Sequence, residues 1–311
     1  MKKICLVGCG TIARLHAKNL SGSAELFFCS RSEESARRFN DEFRGSGSFR
    51  RLEDVLASPD IDAVVIASPP AFHKDQVVRA LSAEKAVMVE KPMCVNPEEV
   101  EAVGAAVASR PEALLMVAEN YYYKPLLKRI KALTRERRIG DIRSVQVKKM
   151  FTQATAGWKR QYGALLEGGI HFVALISAMF ECDPERVNGR FPGRRDGKPE
   201  RTSVVELTYP GNVTAELMYS WNMKSRTGGT FQHSRILGTH GQIVFESNGL
   251  YVLQKGRRGV RFYFPGISDL MGYREMTRDF LRCLDDRSRT PYSDFLRARR
   301  DLRIVFDAYR W

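Results

Sequence analysis

The chain has 311 residues, about twice the usual ~150 of one domain, which predicts two domains each able to bury its own core. With 43% hydrophobic and 28% charged residues, and 24 Gly and 13 Pro spread without a period, it is neither fibrous nor disordered, and no apolar run approaches the ~20 residues of a membrane span. The net charge of +14 is uneven: residues 1–118 carry 15 Lys/Arg against 16 Asp/Glu, and residues 119–311 carry 35 against 20. That excess reads either as a solubility effect or as a surface for an anionic substrate or partner. Nucleic acid fits poorly, because no helix-turn-helix, zinc-finger or RNP-like pattern accompanies the charge.

The start, MKKICLVGCG, has a short basic segment and an apolar run, but glycines interrupt it and no small-residue cleavage site follows. It reads as the first strand of a cytoplasmic protein. Cys5, Cys9, Cys29, Cys94, Cys182 and Cys283 show neither a CxxC pair nor Cys/His metal spacing, so reduced, mostly buried thiols and no metal are expected.

From Lys3 to about Val117, short apolar strands (KICLVG, ELFFCS, AVVIAS, AVMVE, LLMVA) alternate with helical stretches at 12–20, 32–43, 52–57, 75–82 and 97–109. This is the pattern of a parallel sheet with crossover helices, and Asn96-Pro97 is a helix start. It predicts a dinucleotide-binding domain over 1–118. From 119 the texture changes to one helix from Pro125 to about Arg137, then long alternating strands: IRSVQVKKM, TSVVELTY, VTAELMYSW, SRILG, GQIVFE and RGVRFYF. Turns at Pro210-Gly211-Asn212 and Ser247-Asn248-Gly249 are hairpin chemistry. Helical stretches at 168–181, 268–285 and 293–310 would cover one face, and 188–201 reads as a loop. The expected fold class is α/β: an N-terminal Rossmann parallel sheet plus a C-terminal α+β domain (119–311) with a large, mostly antiparallel open sheet.

Directly after the first strand stands Gly8-Cys9-Gly10-Thr11-Ile12-Ala13, a GxGxxA in the strand, turn, helix context that dinucleotide binding requires. Gly8 permits the tight turn, Gly10 lets backbone approach a pyrophosphate, and Ala13 allows close helix packing, with the phosphate at the helix N-terminus near Thr11 and Ile12. Cys9 contacts the cofactor only through its backbone. About 20 residues past Gly10, where an NAD-specific fold places Asp or Glu, stands Cys29-Ser30-Arg31-Ser32. Ser30 and Arg31 can donate to a 2′-phosphate, so NADP(H) is expected over NAD(H).

Further along come Ala67-Ser68-Pro69-Pro70-Ala71-Phe72-His73, Glu90-Lys91-Pro92, Ala118-Glu119-Asn120-Tyr121-Tyr122-Tyr123-Lys124-Pro125, Gly168-Gly169-Ile170-His171 and Ile236-Leu237-Gly238-Thr239-His240-Gly241-Gln242-Ile243. With GxGxxA, this ordered set resembles the Gfo/Idh/MocA oxidoreductases (glucose-fructose oxidoreductase and inositol dehydrogenase) over essentially the whole chain. The resemblance implies an acid/base role for Lys91 with His171 assisting, and Ser68, Pro69, His73 and Glu90 beside the nicotinamide. It also implies a homo-oligomer, dimer or tetramer, through the C-terminal sheet.

The chemistry agrees, since hydride arriving at a carbonyl or imine carbon calls for a nearby proton donor. Tyr122, Glu167, His171 and Trp158 are the candidates for the substrate. Tyr121 and Tyr123 would face opposite to Tyr122 if the segment alternates, and Tyr162, Trp221 and Arg226 are further pocket candidates. The family usually has Asp where this chain has Glu167, and often Asp where it has Ala174. These departures favour NADPH-driven reduction over oxidation of inositol or glucose. The expected activity is hydride transfer to or from a carbonyl or hydroxyl of a small polar, anionic, sugar-like substrate. The alternatives are an imine or other non-sugar reductase of secondary metabolism, and a non-catalytic NADP(H)-sensing regulatory protein.

Overall fold

A computed structural model of the chain describes residues 1–224, 228–257 and 259–310. Two compact units emerge: Met1–Glu119 with Tyr273–Arg299, and Asn120–Gly272 with the stretch from Arg300 onward. The second expected domain therefore divides, because residues 273–299 belong with the first unit.

The first unit holds a six-stranded parallel sheet of β1 (Lys2–Val7), β2 (Ala24–Cys29), β3 (Gly47–Phe49), β4 (Ala63–Ile66), β5 (Ala86–Glu90) and β6 (Leu115–Ala118), in the order β3-β2-β1-β4-β5-β6. Every residue of β4, β5 and β6 is buried. Such a run without alternation is what a strand covered on both faces requires. The crossovers are α1 (Thr11–Leu20), α2 (Glu33–Phe43), α3 (Leu52–Ala57), α4 (His73–Ser82) and α5 (Pro97–Ala108). The strand order reverses between β1 and β4, and the loops after β1, β4 and β5 leave the same carboxyl edge of the sheet, where such folds bind ligands. Three-residue β3, sequence GSF, was not among the expected strands.

The second unit opens with α6 (Pro125–Arg135) and builds an eight-stranded sheet. Its strands are β7 (Ile142–Met150), β8 (Arg186–Arg190), β9 (Thr202–Tyr209), β10 (Val213–Ser220), β11 (His233–Gly238), β12 (Gly241–Glu246), β13 (Val252–Gly256) and β14 (Gly259–Tyr263). They run in the order β14-β13-β12-β11-β7-β10-β9-β8, with every neighbouring pair antiparallel except β7 and β10. The expected loop at 188–201 is strand up to Arg190, because Asn188 and Gly189 pair with Glu206 and Val205 of β9. Helix α7 (Ile170–Phe180), apolar nearly all round, packs on β10.

Two last helices follow, α8 (Tyr273–Asp285) and α9 (Phe295–Tyr309). Within the first unit, the Tyr273 ring stands edge-on to His16 at 6.3 Å, and Val117 N donates to Ser293 O at 2.9 Å. Among the described residues no helix is long and apolar enough to cross a membrane, and no cluster of His, Cys, Asp or Glu is arranged to hold a metal. All six cysteines are unpaired thiols.

Candidate functional site

The glycine turn of the first unit shows two glycines required for different reasons. Gly8 has φ +102°, and a Cβ there would lie 2.8 Å from both C and O of Ala67 and 2.9 Å from Ser68 N. Only glycine lets β1 turn this close to the end of β4. Gly10 has ordinary extended geometry, and a Cβ on it would meet nothing within 4 Å. The space beside its backbone is open, which is what a closely approaching phosphate needs.

The helix that follows is unusual among its neighbours. Helix α2 is capped by Ser32, whose Oγ accepts from Ser35 N at 3.2 Å, and α5 by Asn96, whose Oδ1 accepts from Glu99 N at 2.9 Å. Both also carry two glutamates in the first turn. Helix α1 has no side-chain cap and no first-turn carboxylate, so its N-terminal N–H groups and positive dipole end are uncommitted. Fully buried Ala13 holds the helix close to the sheet, while Thr11 is exposed and Ile12 half-buried at the mouth of the turn. These features fit a dinucleotide pyrophosphate. The Cys9 thiol, pushed up to about 11 by burial, stays protonated.

At the end of β2, Ser30 Oγ accepts from Ser32 N at 3.3 Å, which leaves Arg31 at the apex of a short braced loop. Arg31 is exposed, its guanidinium lies 5.0 Å above the Phe72 ring, and among the described residues no carboxylate pairs with it. Glu33, two residues on, is engaged by Arg37 at 2.6 Å.

At the ends of β4 and β5 the expected residues converge, with one correction. Buried Glu90 brings Oε1 to 2.7 Å from His16 Nε2, and its Oε2 accepts from the Lys91 backbone N at 3.2 Å. The Lys91–Pro92 peptide is cis, and Lys91 itself is half-buried. Half-buried Ser68 and Pro69 lie on the neighbouring turn, with Ser68 Oγ donating to Gln76 Oε1 at 2.6 Å. His73 was expected to touch cofactor, but it is fully buried, with Nδ1 2.8 Å from Pro92 O and Nε2 2.8 Å from Ser68 O. Burial pulls its imidazole below the usual histidine range, so the neutral ring has a single N–H and donates it to one of these two carbonyls, while its other nitrogen faces the second with no room for a ligand between. His73 thus packs between the Ser68 turn and the Pro92 turn. His16, which sequence reasoning missed, holds Glu90 from the buried face of α1, and its position among Ala13, Ala17 and Leu20 was the available signal.

The second unit gathers another set. Residues Asn120–Tyr123 form a tight 3-10 turn rather than an alternating strand, so the tyrosines do not simply face in turn to opposite sides. Tyr121 stacks on His171, with centroids 4.7 Å apart and rings 13° from parallel, and Lys124 Nζ lies 4.2 Å from its centroid. Tyr122, expected to touch substrate, is buried and donates its hydroxyl to Asp301 Oδ2 at 2.5 Å. Its polar group is committed to the protein.

Residues Leu165–Gly169 form one wide π-turn that runs into α7 and sets the frame of His171. Gly168 has no room for a Cβ, which would collide with Tyr219 Oη, itself accepting from Trp221 Nε1 at 3.0 Å. Glu167 is buried and paired with Lys159 at 2.7 Å, and half-buried His171 follows one turn later. Trp158 is half-buried beside Tyr162, with ring centroids 6.1 Å apart. Trp221, at 1% exposure, is core rather than pocket. Arg226 lies outside the described residues, and Ala174 is fully buried in α7.

Known proteins share this architecture. A family described as an oxidoreductase family with an NAD-binding Rossmann fold matches residues 2–119, and the GFO/IDH/MocA C-terminal domain matches 127–244. Glucose-6-phosphate 3-dehydrogenase of Bacillus subtilis (strain 168) is 31% identical over 196 residues, covering 59% of this chain and 55% of that protein. The chain thus spans about half the length of the curated relatives it matches. Among solved structures, an oxidoreductase from Agrobacterium radiobacter in complex with NAD+, L-tartaric acid and magnesium superposes with a TM-score of 0.88 at 18% identity, covering 99% of this chain and 95% of that one. A 3-ketoreductase from Actinomadura kijaniata in complex with TDP-benzene and NADP superposes with a TM-score of 0.83 at 23% identity, covering 99% and 96%. At these identities the superpositions establish the fold.

Proposed function

The chain belongs to the Gfo/Idh/MocA family of oxidoreductases, and from that membership we propose an NADP(H)-dependent enzyme acting on a carbonyl or hydroxyl of a small, polar, anionic, sugar-like substrate. The observation that carries this reading is the bare N-terminus of α1 with open space at Gly10, together with an Arg31 that no carboxylate neutralises among the described residues. The 31% identical relative is named for a phosphorylated sugar, and the +15 balance of residues 119–311 agrees with an acidic substrate.

Hydride is what the nicotinamide supplies when bound. Lys91 gives a proton to the substrate oxygen on reduction and takes it back on oxidation. Glu90 grips the backbone of that lysine and His16 grips Glu90, so the base from which the lysine side chain reaches out is held in place. In the second unit His171, braced against Tyr121, assists the proton transfer, and Glu167 with Trp158 orients substrate hydroxyls.

The cofactor choice is tested by Arg31→Ala. It is expected to weaken NADPH binding about tenfold, ~1.4 kcal/mol, and to leave NADH binding unchanged. Thermal-shift titration with both dinucleotides reads this directly, and an equal effect on the two, or none on either, removes the NADP(H) assignment.

The same reading makes the protein a dimer or tetramer joined through the outer face of the eight-stranded sheet. Cross-strand register sets Glu206, Glu216, Gln146, Arg235, Val244, Leu253 and Phe262 in one row on that face, running from acidic through basic to apolar. A two-fold partner would set the two rows against each other. Phe262, at 51% exposure, leads the apolar end. Phe262→Asp is expected to lower the mass measured by light scattering to that of one chain, and a wild-type protein that already runs as a monomer contradicts the assignment.

A further inference from the structure

Lys149 is a half-buried cation whose hydrogen-bond partners are neutral oxygens. Its Nζ donates to Gly229 O and to Asn248 Oδ1, both at 2.6 Å, and lies 5.5 Å from the Phe151 ring. Among the described residues no carboxylate pairs with it. Glu246 is the nearest acidic influence, but its carboxylate is spent: Oε1 accepts from Asn248 Nδ2 at 2.9 Å, and Oε2 accepts from the backbone N of Asn248 at 2.9 Å and of Leu250 at 3.2 Å. Glu246 thereby fixes Asn248, and Asn248 fixes the ammonium. Burial draws the Lys149 pKa below the usual lysine range, as expected of a cation taken from water without an anion to replace it. An ammonium has three donors, and two of them are used among the described residues.

Placement joins this cation to the substrate half of the protein. Lys149 of β7 is paired with Tyr219 of β10, so both side chains stand on one face of the sheet. Tyr219 presses on Gly168 of the π-turn and packs 5.7 Å from Phe172, the residue after His171. The Phe151 ring under the ammonium lies 6.0 Å from Tyr219. Lys149 is thus linked, through Phe151 and Tyr219, to the segment that carries Glu167 and His171, and it differs from Lys159 there, which Glu167 already neutralises.

We infer that Lys149 is the specificity-determining residue for an oxyanion on the substrate, a phosphate monoester or a carboxylate carried by a sugar-sized molecule, received through its remaining N–H. This rests on the reading of the second unit as the substrate-binding one.

The test is calorimetric titration of the NADPH-loaded protein with glucose, glucose 6-phosphate and glucuronate, for wild type, Lys149→Gln and Lys149→Arg. Wild type is expected to bind one of the two anionic sugars at least about tenfold tighter than glucose, a margin that shrinks from 50 to 500 mM salt. Lys149→Gln is expected to erase the margin and Lys149→Arg to keep it, and the two anions separate phosphate from carboxylate as the source. A wild type without preference for either anion, or a preference that survives Lys149→Gln, overturns the assignment. Acetylation footprinting of wild type needs no variant: the preferred anion should shield Lys149 while Lys148, on the opposite face of β7, reacts unchanged. Equal labelling with and without either anion would also refute it. A failed reading of the enzyme itself shows elsewhere, as a wild type that no dinucleotide stabilises.

Discussion

Lys91→Ala is expected to lower turnover by about 10²–10⁴-fold, the usual worth of a positioned proton donor, while NADPH binding survives. The separation follows from how the turn is held. Glu90 Oε2 accepts from the Lys91 backbone amide, and the His73 ring packs against the Pro92 carbonyl, so neither of these two anchors uses the lysine side chain. Both remain when the ammonium is removed, as does the open space at Gly10. NADPH at ~100 times its dissociation constant should still stabilise the variant by ~2.7 kcal/mol in a thermal-shift assay. Should the variant keep near-normal turnover, Lys91 is not the proton donor. Should it lose NADPH binding with its activity, the lysine acts through the cofactor instead.

The second large effect separates two glycines that a motif treats alike. Gly8→Ala must place a Cβ within 3 Å of three backbone atoms at the Ala67–Ser68 junction, at φ +102°. Backbone at the end of a buried strand cannot step aside as a flexible side chain can. The conformational strain alone costs about 1–3 kcal/mol, and the collision adds to it, so a loss of ~3 kcal/mol or more, or no folded protein, is expected. Gly10→Ala meets no protein atom, and it should unfold at the same urea concentration as wild type while binding dinucleotide much more weakly. Equal midpoints for Gly8→Ala and wild type would show that the β1 turn relaxes freely. Full dinucleotide affinity in Gly10→Ala would show that no phosphate approaches there.

The pattern of residues revealed a good deal of this architecture, and its gaps have physical causes. The strands of the parallel sheet that are buried on both faces read as continuous apolar runs, and much of long β7, β9 and β10 alternates, so both kinds announce themselves. The missed strands are short and poorly patterned: GSF in β3, RVNGR in β8 and VLQKG in β13. Partner strands fix them, not their own periodicity.

Among the proposed functional residues, the glycines, Arg31, Lys91 and His171 stand out as candidates because they sit inside motifs. His73 and Tyr122 mislead for the opposite reason. Each is a polar residue at a motif position whose side chain is taken up by the protein itself, His73 between the Ser68 and Pro92 carbonyls and Tyr122 at Asp301, and Pro92 and Asp301 come from elsewhere in the sequence. His16 and Lys149 stayed hidden because their importance lies wholly in such distant partners, 74 residues away for Glu90 and 99 for Asn248.

The route of the chain also governs when the protein can be finished. Residues 273–299 return to the first unit, where Ser293 receives the Val117 amide and Tyr273 closes over His16. The stretch after them completes the second unit, where Asp301 takes the Tyr122 hydroxyl and Tyr309 donates to buried Glu200 at 2.7 Å. On a translating ribosome, which feeds out N-terminal segments first, both units wait for α8 and α9 before these buried polar groups are matched. The two cores are then sealed by one late-emerging stretch, so synthesis that stalls before it yields two unfinished units rather than one sound domain and one missing.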